Sequence, residues 1–349
     1  MKGVVYCGPR DVRLAHDLPV PEVTGPRDAV VRVTTTSICG TDLHPYRGEL
    51  PDFAAGTVLG HEFVGTVAAA GPEVPFAAGD RVLASDVVAC GRCGNCAAGR
   101  HYQCPQVTLF GYSTVVGASL PGGQAEYVRV PFADVVLSRV PADLTDEEAL
   151  FAGDILATGY AAVEAAGLAP GETVGVVGGG PVGICAAMCA AAAGAARVVV
   201  SDPDPARRAR AETLGFTGAM PGEFRVALAR CGAVDGAAAV IEAVGSQDAL
   251  IGAVHGAGPC GRIVVVGAHH AQDLAFPAGT AFARELSIRF VVGNPIRFRD
   301  RVLALVRADR LDPAAIISHR LPLSDAVHAY DLFDRRAAFK VVLDATVES

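Results

Sequence analysis

The chain has almost no lysine: Lys2 and Lys340 are the only two, and arginine supplies the remaining positive charge. No run of basic residues occurs. With a formal net charge of −8, the composition argues against a general nucleic-acid binder, whose affinity comes from neutralising phosphates. A long apolar run is missing as well. The Ala-rich stretch from Ile184 to Ala196 covers thirteen residues, short of the roughly 20 that span a bilayer, and fits a packed helix. The start, MKGVVYCGPRDVRL, lacks the apolar core and cleavage site of a signal peptide. No internal repeat or low-complexity linker stands out. These absences predict a soluble cytoplasmic protein with neither nucleic-acid nor membrane partners.

What is present is a large core and many thiols. At 349 residues with 51% hydrophobic content, the chain suffices for one large domain or two ordinary ones, and 40 glycines imply many tight turns. Four of its ten cysteines, Cys90, Cys93, Cys96 and Cys104, crowd into a C-x2-C-x2-C-x7-C pattern. Without an export signal, that crowding points to metal thiolates before disulfides. Four thiolates close a tetrahedral zinc site with no open position, so its role is structural. The bland alternative is four free thiols on a flexible loop.

A second cluster lies in TSICGTDLHPYRG, residues 36 to 48, and GHE, Gly60 to Glu62. Cys39 and His61 offer a thiolate and an imidazole, which zinc prefers. They could equally be a buried small hydrophobe and a hydrogen-bonded histidine. A third ligand has to come from elsewhere. Asp154, in an apolar small-residue stretch, needs a partner; it reads either as a helix cap or as that ligand.

The flanking segments suggest two kinds of structure. Residues 1 to 141 read as short β-strands, with GPEVPFAAGDRVLAS suggesting another pair. Thr145 to Glu148 forms a capping-box pattern, and a second helix is expected from Thr158 to Ala166. From Val174 onward the pattern is βα. Gly178, Gly180 and Gly183 make a G-x-G-x-x-G directly after an apolar strand, and a helix and a second strand ending at Asp202 follow. In that order the motif predicts a dinucleotide site, with pyrophosphate at the helix N-terminus and Asp202 on the adenosine ribose. The acid favours NAD over NADP, although Arg207 and Arg208 lie just beyond it. Gly267 ends a later strand where a cofactor approaches, and His269 and His270 follow it, either near the cofactor or as surface residues.

This combination resembles the zinc-dependent medium-chain alcohol dehydrogenases across nearly the whole chain, most specifically in CGTDLH, GHE, the four-cysteine loop, GDILATGY and GGGPVG. The resemblance implies an α/β protein: a GroES-like β domain over residues 1–154 with the zinc lobe at 90–104, a Rossmann doubly wound parallel sheet over 155–292, and a segment 293–349 returning to the first domain. It implies an active site in the cleft between them, two Zn2+ ions per chain and NAD(H). Cys39, His61 and Asp154 would be the catalytic zinc ligands, Glu62 a transient one, Thr41 the group that takes the substrate proton, and His44 the relay to solvent. Asp42 would tie down its loop. Cofactor contacts would come from Thr158, Gly178, Gly180, Pro181, Val182, Gly183, Asp202, Arg207 and Gly267. The expected reaction interconverts a secondary, primary or polyol alcohol with its ketone or aldehyde. HPYRG, GGQAEYVRVP and DILATGY also resemble the glutathione-independent formaldehyde dehydrogenase and dismutase group. A non-catalytic structural or regulatory relative is the third reading. Tyr46, Phe53, Phe110 and Ile155 are candidate pocket residues, and the family suggests a tetramer ahead of a dimer.

Overall fold

A computed structural model describes residues 1–269 and 273–347. The chain divides into two compact units: Met1–Asp154 together with the segment from Asn294 onward, and Ile155–Gly293.

The first unit is built on a seven-stranded, mostly antiparallel sheet. Its longest strand, Ala29–Ile38 (AVVRVTTTSI), is rich in the β-branched residues that suit a pleated, half-buried surface. It pairs with Phe63–Ala70 on one edge, and with Tyr127–Val130 and Val341–Asp344 on the other. In the last pairing Val341 lies opposite Ile38, so the chain's end supplies a strand beside Cys39 and sets Lys340 below it. GPEVPFAAGDRVLAS contains one strand, Arg81–Ala84, and not the expected pair. Pro72 and Pro75 lack ladder donors, and the segment turns back through Gly71 N–H to Asp28 O (2.8 Å) and Asp80 N–H to Ala77 O (3.1 Å).

Thr145 and Glu148 form the capping box of a short helix, Asp146–Leu150. A single 3-10 turn, Phe151–Gly153, then delivers Asp154. The next helix, Ile155–Ala166, starts earlier than the sequence suggests. The helix Pro295–Arg307 begins where it does because the Asn294 side chain caps it and proline is favoured in its first turn.

The second unit is a six-stranded sheet, parallel throughout. Its spatial order is Thr217–Ala219, Arg197–Ser201, Thr173–Val177, Ala237–Glu242, Ala257–Val265 and Ser287–Phe290. The helix Pro181–Ala192 after the first strand is small-residue and apolar nearly all round, and eight of its residues are buried. The third glycine of the motif has a steric reason. A Cβ at Gly183 would collide with the carbonyl oxygen of Gly178, so helix and strand approach this closely only with glycine there.

The four candidate pocket residues are core residues. Tyr46 and Phe53 are 7% exposed within one cluster, Phe110 is 0% exposed against Phe63, and Ile155 is 1% exposed. Nearness in sequence to a motif places a large apolar side chain in the motif's supporting core as readily as in its pocket.

Candidate active site

Three separate segments deliver the donors. Cys39 lies between the long strand and the helix Gly40–Tyr46, at the helix's N-cap; its backbone N–H donates to Asp42 Oδ2 (2.9 Å). His61 follows Gly60, whose φ of +97° is a left-handed conformation that favours glycine. Asp154 comes from the 3-10 turn. One ligand atom from each lies within 4.8 Å of the others. Cys39 Sγ is 3.5 Å and His61 Nε2 3.4 Å from Asp154 Oδ2. Ligands about 2.0–2.3 Å from a tetrahedral zinc stand roughly 3.5 Å apart, so the spacing fits that ion. All three residues are buried.

The surroundings support the same reading. Asp42 Oδ1 lies 3.3 Å from His61 Nδ1, within ion-pair range but misaligned, and neither atom has a hydrogen-bond partner. An ion on Nε2 leaves the proton on Nδ1 facing that carboxylate, the usual arrangement behind a metal-bound histidine. Asp42 is itself fixed by Gln124 Nε2 (3.3 Å), whose Oε1 accepts from Tyr330 Oη (2.8 Å). Its role therefore extends beyond tying down its own loop. Burial pushes the Cys39 thiol up, and the charges of Asp154 and Glu62 add to this, against Lys340 and His61. Burial opposes charge on His61, but Asp42 and Asp154 hold its pKa well above the ordinary value. A divalent cation would replace those protons.

Glu62 is fully buried and is not among the three converging donors. Its Oε2 accepts from Ser37 Oγ (2.5 Å) and from the Lys340 ammonium, and Oε1 has no partner. Lys340, also fully buried, donates to Ile38 O (3.0 Å) as well. Lys340, Ser37 and Gln124 escaped sequence reasoning. One of only two lysines, set directly before the apolar run Val341–Leu343, was the available signal. Thr41 is half-buried in the first turn of the Gly40–Tyr46 helix, and His44, three residues on, has Nδ1 2.6 Å from Glu49 Oε2.

The four cysteines 90, 93, 96 and 104 also converge, one sulfur each within 4.8 Å, and none is in a disulfide. Backbone N–H groups of Cys90 and Gln106 point at Cys104 Sγ (3.4 Å each), and that of Cys96 at Cys93 Sγ (3.5 Å). Against a burial penalty, such backbone donors bring the Cys90 thiol down to about 7. Burial and the neighbouring sulfurs push Cys96 up to about 12. Four cysteine sulfurs at this spacing are zinc's donor set, and a bound cation would hold all of them as thiolates.

In the second unit, Gly178 ends the first strand, Gly180 caps the helix that Pro181, Val182 and Gly183 open, and Gly179 N–H donates to Asp202 Oδ2 (2.8 Å). Asp202 is buried, and Arg207 stands 3.5 Å from the same oxygen. Thr158 lies so close to Gly293 that a Cβ there would collide with its hydroxyl. Gly267 packs in the same way against Gly245. His269 Nε2 is 3.3 Å from buried Glu242, which also accepts from Val244 and Gly245 N–H. His270 lies outside the described residues.

The chain is similar to known proteins over most of its length. The alcohol dehydrogenase GroES-like domain family matches residues 25–142, and the zinc-binding dehydrogenase family matches residues 181–308. A probable zinc-binding alcohol dehydrogenase of Mycobacterium tuberculosis is 37% identical over 95% of this chain and 84% of its own. An alcohol dehydrogenase of Cupriavidus necator is 34% identical over 95% of each. Among solved structures, an alcohol dehydrogenase from Thermus sp. ATN1 superposes with a TM-score of 0.94 at 38% identity, covering 99% of each chain. Two clusters that could hold a metal, a parallel sheet with a glycine loop, and these likenesses agree: the chain belongs to the zinc-dependent medium-chain alcohol dehydrogenase family.

Proposed function

We infer that this dehydrogenase transfers hydride between an alcohol and NAD+, giving a ketone or aldehyde, at a zinc held by Cys39, His61 and Asp154. The observation that carries the reading is the convergence of three buried donors of zinc's preferred kinds, with Cys39 Sγ and His61 Nε2 at 3.5 and 3.4 Å from Asp154 Oδ2 and His61 Nδ1 turned to Asp42. When bound, zinc lowers the pKa of the alcohol hydroxyl or polarises the carbonyl, and the nicotinamide accepts or returns the hydride. Asp42 holds the His61 ring. Thr41 takes the hydroxyl proton and His44 passes it toward solvent, with Glu49 on its Nδ1 to stabilise the charge. Lys340 holds Glu62 away from the donors, so any transient ligation by Glu62 has to break a buried ion pair. Thiolate and carboxylate together would bring two negative charges to a bound zinc, and Lys340 would keep Glu62 from adding a full third.

Gly178, Gly180, Pro181, Val182 and Gly183 cradle the pyrophosphate. Asp202 would take the ribose hydroxyls, which favours NAD over NADP, while Thr158 and Gly267 would lie on the nicotinamide side. The four-cysteine lobe holds a second zinc. The enzyme works as a tetramer in the cytoplasm; no single helix among the described residues is long and apolar enough to cross a membrane.

A spectrophotometric screen of alcohols, diols and aldehydes with NAD+ tests the reading. Reduction of NAD+ with ketone or aldehyde as product is expected. Carboxylate formed from an aldehyde would move the assignment to the formaldehyde dehydrogenase group. Zinc-loaded protein that binds no nicotinamide nucleotide would overturn both.

A further inference from the structure

Beside the three-donor cluster lies a buried acid that the mechanism above does not use. Asp86 sits between the strands Arg81–Ala84 and Val87–Val88 and is 5% exposed. Its backbone N–H donates to the carbonyl of Gly153 (2.9 Å), which sets it next to Asp154. The contact is tight because residue 153 is glycine: a Cβ there would collide with Ala84 O. Asp86 Oδ1 accepts from Val87 N–H (2.7 Å), and Oδ2 accepts from the hydroxyl of Tyr102, a half-buried residue in the turn before Cys104. Among the described residues no cation forms an ion pair with it. Burial first, and then the charge of Asp154, push its carboxyl up to about 8.

Burying a carboxyl without a cation is unfavourable, and a leucine or phenylalanine would line a site for a simple alcohol without that penalty. Each carboxyl oxygen accepts one hydrogen bond here, which leaves capacity for a polar group of a ligand. We propose that Asp86 and Tyr102 form a specificity-determining subsite that receives a second hydroxyl of the substrate, making 1,2-diols the preferred class over simple alcohols. This rests on the dehydrogenase reading above and narrows its substrate. With one oxygen of a vicinal diol at the Cys39–His61–Asp154 donors, the neighbouring hydroxyl would hydrogen-bond to Asp86. Tyr102 fixes the carboxyl's orientation and acts as a positioning residue.

The test uses the zinc-loaded full chain and compares kcat/KM for propane-1,2-diol and propan-2-ol in the wild type, Asp86→Asn, Asp86→Leu and Tyr102→Phe. The wild type should favour the diol. Asp86→Leu should cut that preference by about 10- to 100-fold, mainly through KM, as expected for a lost hydrogen bond to an acid. Asp86→Asn, which keeps an acceptor, should retain most of the preference, and Tyr102→Phe should fall between. Calorimetric titration of propane-1,2-diol should show the same loss without turnover. Equal losses for both substrates, or a wild type indifferent to the second hydroxyl, would overturn the proposal by assigning the pair a structural role. Should Asp86→Leu fail to fold, the ratios in Asp86→Asn and Tyr102→Phe decide. Diol binding that depends on Asp86 without NADH from any alcohol would overturn the dehydrogenase reading and leave the subsite standing.

Discussion

The two thiol-containing clusters differ in how they are made. The four cysteines come from one stretch of fifteen residues, are alike in kind, and are surrounded mostly by backbone N–H groups. The Cys39–His61–Asp154 cluster draws on three distant segments, mixes donor types, and is backed by charged side chains: Asp42, Glu62 and Lys340. A set of four donors completes a tetrahedron, whereas three leave a position for a reacting ligand. The charged backing makes sense only at the second, where the field at the metal matters to the chemistry. One cluster should therefore govern stability and the other activity.

The largest expected effects separate those roles. Cys96→Ser should lower the thermal midpoint by about 10 °C or more, since a domain of this size loses about 2–4 °C per kcal/mol and structural zinc is worth several. Cys39→Ser should leave the midpoint nearly unchanged and reduce turnover by about a thousandfold or more, because the transition-state charge loses its support. Scanning calorimetry and steady-state rates on the same samples check both. Proportionate loss of stability and activity in the two variants would erase the distinction.

Next in size is the ion pair behind the cluster. Lys340→Met leaves the Glu62 carboxylate buried and unpaired, a loss of about 3–5 kcal/mol in urea unfolding. The double variant Glu62→Gln/Lys340→Met should recover more than half of it. A loss under about 1 kcal/mol for the single variant would mean that the pair is not a buried charge couple. Asp42→Asn sharpens the comparison differently. It should weaken zinc at the three-donor cluster by about 10- to 100-fold, as loss of a partner behind a metal-bound histidine does, with the lobe's affinity unchanged. Competition with a chromophoric chelator resolves the two classes.

How far the molecule was legible in its sequence follows from the same contrast. The lobe, the glycine loop and the Thr145–Glu148 capping box were readable because each is complete within a few neighbouring residues. Asp154 lies 115 residues from Cys39, and local pattern alone left it either a cap or a ligand; only the family resemblance named it. Lys340 is 278 residues from Glu62 and reaches it through the antiparallel register of Val341 with Ile38, which no local pattern encodes. Tyr46, Phe53 and Phe110 show the opposite failure: apolar residues near a motif belong to its supporting core.

The smallest effect lies outside both clusters. Thr145→Ala should cost about 1 kcal/mol through loss of the helix cap. Backbone and hydroxyl donors of Thr145 hold the Glu148 carboxyl below its ordinary value. That share of the stability is present above the ordinary glutamate pKa and lost as pH falls through the lowered one, so the gap between wild type and variant should narrow in acid. A gap that widens there would contradict the cap.

The most direct test of the three-donor site is zinc content and NAD-linked turnover measured on one preparation of Asp154→Ala. The expected result is one zinc per chain in place of two, turnover lost, and the thermal midpoint retained. Two zinc ions per chain with wild-type turnover would remove Asp154 from the ligand set and contradict the site as described.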